Sequence, residues 1–184
     1  MTTYTFIILS WNLQRVWSPS QPTVLYPGDQ IDCNPFIGDL TASSSDLTIN
    51  GVIATFPADS GANNVQVSLT FGGEPLVTVW LAQIYTCTVG SSDPKPSDLS
   101  WSPSEPSILF PGDQIELVAG TGITLPSGWV LTASPADLIV TNLTATFPPD
   151  STVNGISVNL YYGLVPPPGE DSGVTVGTLT LGRP

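Results

Sequence analysis

Two loops, one in each half of the chain, carry oxygen-bearing side chains of the kind that bind a hard cation. The loops read FPADSGANN and FPPDSTVN, and they place Asp59 and Asp150 at matching positions with Asn63 and Asn154 shortly after. Carboxylate and amide oxygens are ligands that calcium accepts. Turns also use Asp, Ser, Asn and Gly to satisfy their own backbone, so we favour turn chemistry and keep a calcium site as the alternative.

Loop residues of the second half offer another kind of site, one for glycans. An indole ring can stack its flat face on the apolar side of a pyranose. Trp129 lies in SGWV, an insertion that the first half lacks, and is our candidate for an exposed contact. To this ligand-binding set we add Glu170 and Asp171 of the PPPGEDSG loop. This pair of carboxylates could in principle do acid/base work, but neighbouring acids in such a loop are more often solvated turn residues.

Catalytic chemistry has little support in these residues. The chain contains no histidine, so the usual general base and every Ser-His or Cys-His nucleophile arrangement are absent. It has neither a glycine-rich phosphate loop nor a paired-cysteine metal motif. Ser92 and Lys95 match S-x-x-K, but they lie in a Pro-rich stretch that would not hold them in a site. We predict that the protein is not an enzyme and has no cofactor, calcium being the alternative.

An internal duplication supplies the elements that position these residues. The stretch from Trp17 matches the stretch from Trp101 with eleven identities in seventeen columns, and the stretch from Leu40 matches that from Leu131 with twelve in twenty-one. Differences in length fall where loops are expected, as in VAGTGITLPSGWV, which carries seven extra residues. We predict two copies of one small domain, and we expect the function to lie where the copies differ.

The hydrophobic period within each copy is two. In VQVSLTFG, from Val65, apolar residues alternate with polar ones, and ISVNLYYG, from Ile156, repeats the pattern. Nineteen prolines and seventeen glycines leave little room for helices. The fold prediction is therefore all-β: two tandem antiparallel β-sandwich domains, each of about six or seven short strands. We place repeat 1 at 1–90, a Pro-containing linker at 91–98 and repeat 2 at 99–184, with the boundary open within 80–98.

One repeated segment resembles a known fold family. The segments PTVLYPGDQI, from Pro22, and PSILFPGDQI, from Pro106, are similar to the early hairpin of cupredoxin-like and bacterial immunoglobulin-like sandwiches. The segment covers about a tenth of each copy, and the resemblance implies the sandwich fold. A cupredoxin copper site would require two histidines, which this chain lacks, so the resemblance extends to the fold alone. The aspartate after Pro-Gly is predicted to cap a tight turn.

Four further side chains are assigned to the cores. Trp17 and Trp101 recur at one place in both copies, and we favour packing for that pair over sugar stacking. Leu117 stands in the second copy where Cys33 stands in the first, which favours a free buried thiol there. A disulfide between Cys33 and Cys87 is the alternative, because sequence alone does not decide pairing.

Charge and composition narrow the possible partners. The formal net charge is -12 with only three cationic residues, so nucleic acid and anionic membrane surfaces are poor partners. No apolar run reaches the roughly 20 residues of a membrane helix, and the start has no signal-peptide pattern. We expect a soluble protein without membrane insertion, and slightly favour the cytoplasm.

Low charge raises the expectation of self-association. Only 10% of the residues are charged while 41% are hydrophobic, and large uncharged surfaces are usually covered by a partner. We therefore predict a non-catalytic structural or self-assembling protein that acts through protein–protein contacts. A carbohydrate-binding module that uses loop aromatics is the alternative.

Overall fold

The structure, a computed structural model, describes residues 1–9, 14–35, 37–164 and 173–182. Regular structure in these residues is β-strand, apart from one 3-10 helix at Pro96–Asp98. No helix in this part of the chain is long and apolar enough to cross a membrane. The all-β fold class predicted from the hydrophobic period is confirmed.

The chain divides into two compact units, Met1–Gln83 and Ile84–Pro184. The described residues of the first unit form nine strands: β1 (Thr3–Leu9), β2 (Gln14–Ser18), β3 (Val24–Leu25), β4 (Gln30–Asp32), β5 (Leu40–Ala42), β6 (Thr48–Asn50), β7 (Ile53–Thr55), β8 (Val65–Phe71) and β9 (Glu74–Leu81). Those of the second unit form another nine: β10 (Ile84–Val89), β11 (Leu99–Ser102), β12 (Ile108–Leu109), β13 (Gln114–Ala119), β14 (Trp129–Ser134), β15 (Ile139–Thr141), β16 (Thr144–Thr146), β17 (Ile156–Leu164) and β18 (Gly173–Leu181).

Each unit is a sandwich of a five-stranded and a four-stranded sheet. In the first unit, sheet 1A has the order β2-β1-β4-β7-β6 and sheet 1B the order β3-β9-β8-β5. In the second unit, sheet 2A has the order β11-β10-β13-β16-β15 and sheet 2B the order β12-β18-β17-β14. The duplication seen in the sequence thus extends to the topology. Most neighbouring strands are antiparallel, as predicted, but each sheet also contains one parallel pair: β1/β4, β3/β9, β10/β13 and β12/β18.

The alternating strands bury one face in a core between the two sheets of their unit. Val67 and Leu69 of β8 are buried in the core of the first unit, while the intervening Ser68 is exposed. Val158 and Leu160 of β17 lie in the same way in the core of the second unit. Burial of such a side chain stabilises the fold by roughly 1.5–3 kcal/mol. The inner faces are thus fixed by hydrophobic burial, and the outer faces are left for contacts.

The repeated PGD segment forms a tight turn that its aspartate holds in place. Gly28 has a φ of 93°, as the third position of a type II turn requires, and the N–H of Asp29 donates to the carbonyl of Tyr26 (2.9 Å). The Asp29 carboxylate accepts the N–H of Tyr26 at Oδ2 (3.1 Å) and the N–H of Thr2 at Oδ1. The N–H of Phe56 donates to the Asp29 carbonyl (2.9 Å), which ties the turn to the end of β7.

The second copy builds the same turn. Gly112 has a φ of 98°, and the N–H of Phe110 donates to Oδ2 of Asp113 (2.9 Å). The N–H of Gly112 donates to the carbonyl of Phe147 (2.8 Å), and the N–H of Phe147 donates to the carbonyl of Asp113 (2.9 Å). The aspartate caps the turn, as predicted, and its full burial identifies this repeated segment as scaffold.

The boundary between the units, after Gln83, lies within the range 80–98 that the sequence left open, and it precedes the predicted linker. β10 falls inside the predicted repeat 1 (1–90), yet it pairs with β11 and β13 and belongs to the second unit. Residues 91–98, predicted as the linker, join β10 to β11 within that unit, where the N–H of Gly90 donates to the carbonyl of Asp98 (2.8 Å). The reason is topological, because β10 fills the position in sheet 2A, second from one edge, that β1 fills in sheet 1A.

The packing predictions for the repeated tryptophans and for the thiols are confirmed. Trp17 packs against the first core, with its ring centroid 5.1 Å from that of Phe6. Trp101 is half-buried against the second core. Cys33 and Cys87 are both free and fully buried, one in each unit.

Candidate functional site

The first loop, for which turn chemistry is predicted and a calcium site is the alternative, is closed by its own hydrogen bonds. The N–H of Ser60 donates to the carbonyl of Pro57 (3.1 Å), and the N–H of Ala62 donates to Ser60 Oγ (3.2 Å). The side-chain amide of Gln83 donates to the carbonyls of Ser60 (3.1 Å) and Ala62 (2.7 Å). Asp59 is exposed at the tip of the turn. These bonds account for the loop's composition by turn chemistry.

The second loop repeats this arrangement. The N–H of Ser151 donates to the carbonyl of Pro148 (3.1 Å), and the N–H of Val153 donates to Ser151 Oγ (3.2 Å). Asp150 is exposed, like its counterpart in the first unit. The serine at each turn therefore caps the backbone, and the aspartate beside it faces solvent.

The two asparagines of the predicted calcium sets lie in different environments. Asn63 is half-buried and Asn154 is exposed. In the described part of the chain, no group of three or more His, Cys, Asp or Glu residues is arranged to hold a metal ion. Each loop thus brings one exposed carboxylate and one amide to the same turn, and calcium binding stays a prediction.

The structure describes one of the three residues predicted to bind a glycan. Trp129 is the first residue of β14 and is half-buried. Its ring packs edge-on against Tyr162, with centroids 5.2 Å apart and an interplanar angle of 66°. Glu170 and Asp171 lie outside the described residues. Part of the indole of Trp129 therefore stabilises the second core, and less of its surface is left for a ligand than in a fully exposed loop position.

Neither thiol is suited to act as a nucleophile. Burial raises the pKa of Cys33 to about 11, and the nearby charge of Asp32 adds to the shift. Burial likewise raises the pKa of Cys87 to about 12, with a contribution from Glu105. Because the thiolate is the reactive form, both cysteines are protonated and inert at neutral pH.

The outer face of sheet 2B is a broad surface without charge. Its side chains form three rows that cross the sheet from strand to strand, at register positions that pair directly. The rows are Thr132–Tyr161–Thr175, Ser134–Asn159–Thr178 and Ile108–Thr180–Ser157. The Thr178 hydroxyl donates to Oδ1 of Asn159 (2.8 Å), which fixes the middle row. We call these nine residues the neutral face.

Sheet 1B carries a similar but smaller surface. Thr41 and Thr70 share a hydroxyl hydrogen bond of 2.7 Å across β5 and β8. Ser68 and Thr78 share one of 3.1 Å across β8 and β9. Hydroxyl pairs of this kind contribute roughly 0.2–1 kcal/mol each and keep the side chains ordered. The four-stranded sheet of each unit therefore presents an uncharged hydroxyl surface.

The acidic residues that the structure describes lie elsewhere. Glu116 on β13 and Asp32 on β4 lie on the five-stranded sheets, and Glu74 lies at the start of β9, beside the β8–β9 hairpin turn. Asp46 and Asp59 are examples of the acids that lie in loops. A net charge of -12 repels other copies of the chain. The nine residues of the neutral face add nothing to that repulsion.

The neutral face ends at a groove beside β14. The groove has a volume of about 500 Å³ and is lined by residues 130–133 on one side and by Ala136, Leu138, Val140 and Asn142 on the other. None of these lining residues is charged. The groove and the neutral face together form the candidate site.

The neutral face was not predicted from the sequence, although the sequence shows one of its features. The polar positions that alternate with buried ones in β8 and β17 are Ser, Thr, Asn and Gln rather than Lys or Glu. The rows themselves depend on strand register, which the sequence does not display. Comparison of the chain with protein-family models and with curated proteins gives no match.

Proposed function

We propose that the protein is a non-catalytic structural protein that assembles with other copies of itself through protein–protein contacts of the second unit. The observation that carries this proposal is the neutral face, which holds nine adjacent outward positions without one charge. A monomeric protein that stays soluble through an acidic surface has no need of an uncharged face of this size.

The composition of the face fits protein contact. Tyr161 stands at the centre of its row and is 39% exposed, while Ile108 at the edge is 43% exposed. Large side chains of this kind dominate interface energetics, and their hydroxyl neighbours supply adaptable hydrogen bonds. The hydroxyls lose little on desolvation when a partner supplies hydrogen bonds in return, whereas a charged group would lose much more.

The test places one charge on the neutral face. Thr175 is exposed, and Thr175→Lys inserts an ammonium group beside Tyr161. Because this change lowers the net negative charge, weaker association cannot come from overall repulsion. Sedimentation equilibrium should show association of the parent chain that Thr175→Lys weakens at least about tenfold, the effect of about 1.4 kcal/mol.

The matched control is Ser100→Lys. Ser100 is also exposed on a strand of the second unit, but it lies in sheet 2A. This variant should associate like the parent chain. A parent chain that stays monomeric at millimolar concentration overturns the proposal, and so does equal weakening by the two lysines.

Glycan binding by Trp129 is the alternative function and stays a prediction. A glycan array probed with the parent chain and with Trp129→Ala tests it. Signal that the parent chain shows and the variant loses would support a carbohydrate-binding role.

A further inference from the structure

β14 is an edge strand of unusual length for this fold. It pairs with β17 on one side only, and it spans six residues where its counterpart β5 spans three. An edge strand presents N–H and C=O groups that another strand can pair with. Natural proteins usually shorten or charge such edges, yet WVLTAS is long and carries no charge.

The corresponding strand of the first copy, β5, shows which backbone groups of β14 point away from its neighbour β17. The N–H of Ser43, just after β5, donates to the carbonyl of Ser68 on β8 (2.9 Å). Residues of an antiparallel strand alternate in the direction of their backbone groups. Ser43 therefore directs its groups toward β8, and the adjacent Ala42 directs its groups away from β8.

The second copy has the same register, so the assignment carries over. Ala133 pairs with Leu160 on β17, as Ala42 pairs with Leu69 on β8. Ala133 and Leu131 thus direct their N–H and C=O groups away from β17, toward the side on which the groove lies. The N–H of Trp129, two residues earlier, also points away from β17 and donates to the carbonyl of Pro126 (3.4 Å).

We infer that the occupant of this edge is β14 of a second copy, paired antiparallel about a two-fold axis. This inference rests on the proposed function and names the contact that begins assembly. The groove has no charged lining residue to recognise a cationic or anionic partner. A second copy brings an equally neutral, equally long edge, and a two-fold contact matches each patch with itself.

Side-chain direction limits the register of this pairing. Opposed residues of an antiparallel pair lie on the same face of the sheet, and a register centred on Thr132 satisfies that condition. In this register Leu131 of each copy lies opposite Ala133 of the other copy. These two pairs give about four hydrogen bonds between the copies. The two four-stranded sheets then become one continuous sheet, with the neutral faces side by side.

The size of the contact predicts weak, concentration-dependent association. In this register residues 130–134 of the two copies lie opposite one another, and these five residues give a strip about 17 Å long, which buries on the order of 400 Å² on each copy. The area buried on the two copies together lies below the ~1,200 Å² of a stable interface. We expect dissociation in the micromolar to millimolar range.

Cysteine cross-linking at the predicted axis tests the inference. Thr132→Cys places two thiols on a non-hydrogen-bonded pair with Cα atoms about 4.5 Å apart, within the reach of a disulfide. Cys33 and Cys87 are free and fully buried and so do not compete. With copper phenanthroline as oxidant, the full chain should form covalent dimers at least about tenfold faster than either control.

The two controls separate this contact from others. Thr178→Cys lies at the centre of the neutral face and would cross-link if the faces stacked, while Ser100→Cys lies in sheet 2A. Faster cross-linking at Thr178 than at Thr132 overturns the edge contact. Equal rates for all three variants overturn it as well.

A proline at the edge gives a second measurement. Ala133→Pro removes an N–H that does not bond to β17, so the sandwich is kept and the pairing with a second copy is lost. Sedimentation should show association reduced at least about tenfold. If Thr175→Lys weakens association but Ala133→Pro does not, the edge contact is wrong and the proposed function stands. If the parent chain never associates, both are wrong.

Discussion

The buried aspartate of the PGD turn should be a principal source of stability in the second unit. Asp113 is fully buried, and its Oδ2 accepts the N–H of Phe110 at 2.9 Å. A hydrogen bond to a charged acceptor contributes about 1.5–3 kcal/mol, and a buried donor left without its acceptor costs a similar amount. We therefore expect Asp113→Ala to lower the free energy of unfolding by about 2–3 kcal/mol.

The assay is urea denaturation of the full chain with peptide-resolved hydrogen exchange, which reports each unit separately. With a urea slope of roughly 2 kcal/mol per molar, the midpoint of the second unit should fall by about 1–1.5 M. Asp113→Asn keeps one acceptor oxygen, so its urea midpoint should lie between those of Asp113→Ala and the parent chain. Asp150→Ala is the matched control, because Asp150 is exposed in a turn of the same unit. It should change the free energy of unfolding by less than about 0.5 kcal/mol.

The outcome is not decided by burial alone. Burying a carboxylate has a desolvation cost, and replacing a buried charge can be neutral when that cost exceeds the bonds it makes. An unchanged midpoint in Asp113→Ala would show that the two effects cancel and that the backbone bonds alone hold the turn. That result would refute our account of why the segment is repeated.

Four further outcomes follow from the geometry. Cys33 and Cys87 should not react with Ellman's reagent at pH 8 in the folded chain, and both should react in urea. Their folded pKa values, about 11 and 12, lie above the ordinary value of 9.0. The contribution of the two thiols to stability should therefore be constant below pH 9 and fall as pH rises toward 11–12, which urea titrations at a series of pH values measure. Gly112→Ala should lower the thermal midpoint, because a φ of 98° costs a non-glycine residue about 1–2 kcal/mol. Higher salt should strengthen sedimentation-detected association, since it screens repulsion between copies of charge -12.

Much of the fold can be predicted from the sequence because burial leaves a local pattern. The alternation in β8 and β17 identifies Val67, Leu69, Val158 and Leu160 as inward-facing without knowledge of any partner strand. The PGD turn is similarly local, since proline and glycine specify its backbone within four residues. Repetition of both signals made the two sandwiches predictable.

The local sequence does not indicate which strands pair with each other, or in what register. β10 is contiguous in sequence with β9, yet it pairs only with β11 and β13. The rows of the neutral face depend on a bulge between Leu160 and Tyr161, after which Tyr161 pairs with Thr175 instead of Val176. A bulge changes partners without changing the alternation enough to be recognised, so the hydroxyl rows could not be derived before the register was known.

The difference between the copies lies at a sheet edge and not in the cores. The seven extra residues of the second copy fall in the segment that runs through β13 and β14, and most of them lengthen these strands, which have six residues each where their counterparts have three. The added length brings no charge to β14, although a charge is the simplest way to stop an edge strand from pairing. A domain copied only for stability would gain nothing from a longer, unprotected edge. This difference in edge length is why we propose the contact surface for the second copy, while the first copy has the same sandwich with a short edge.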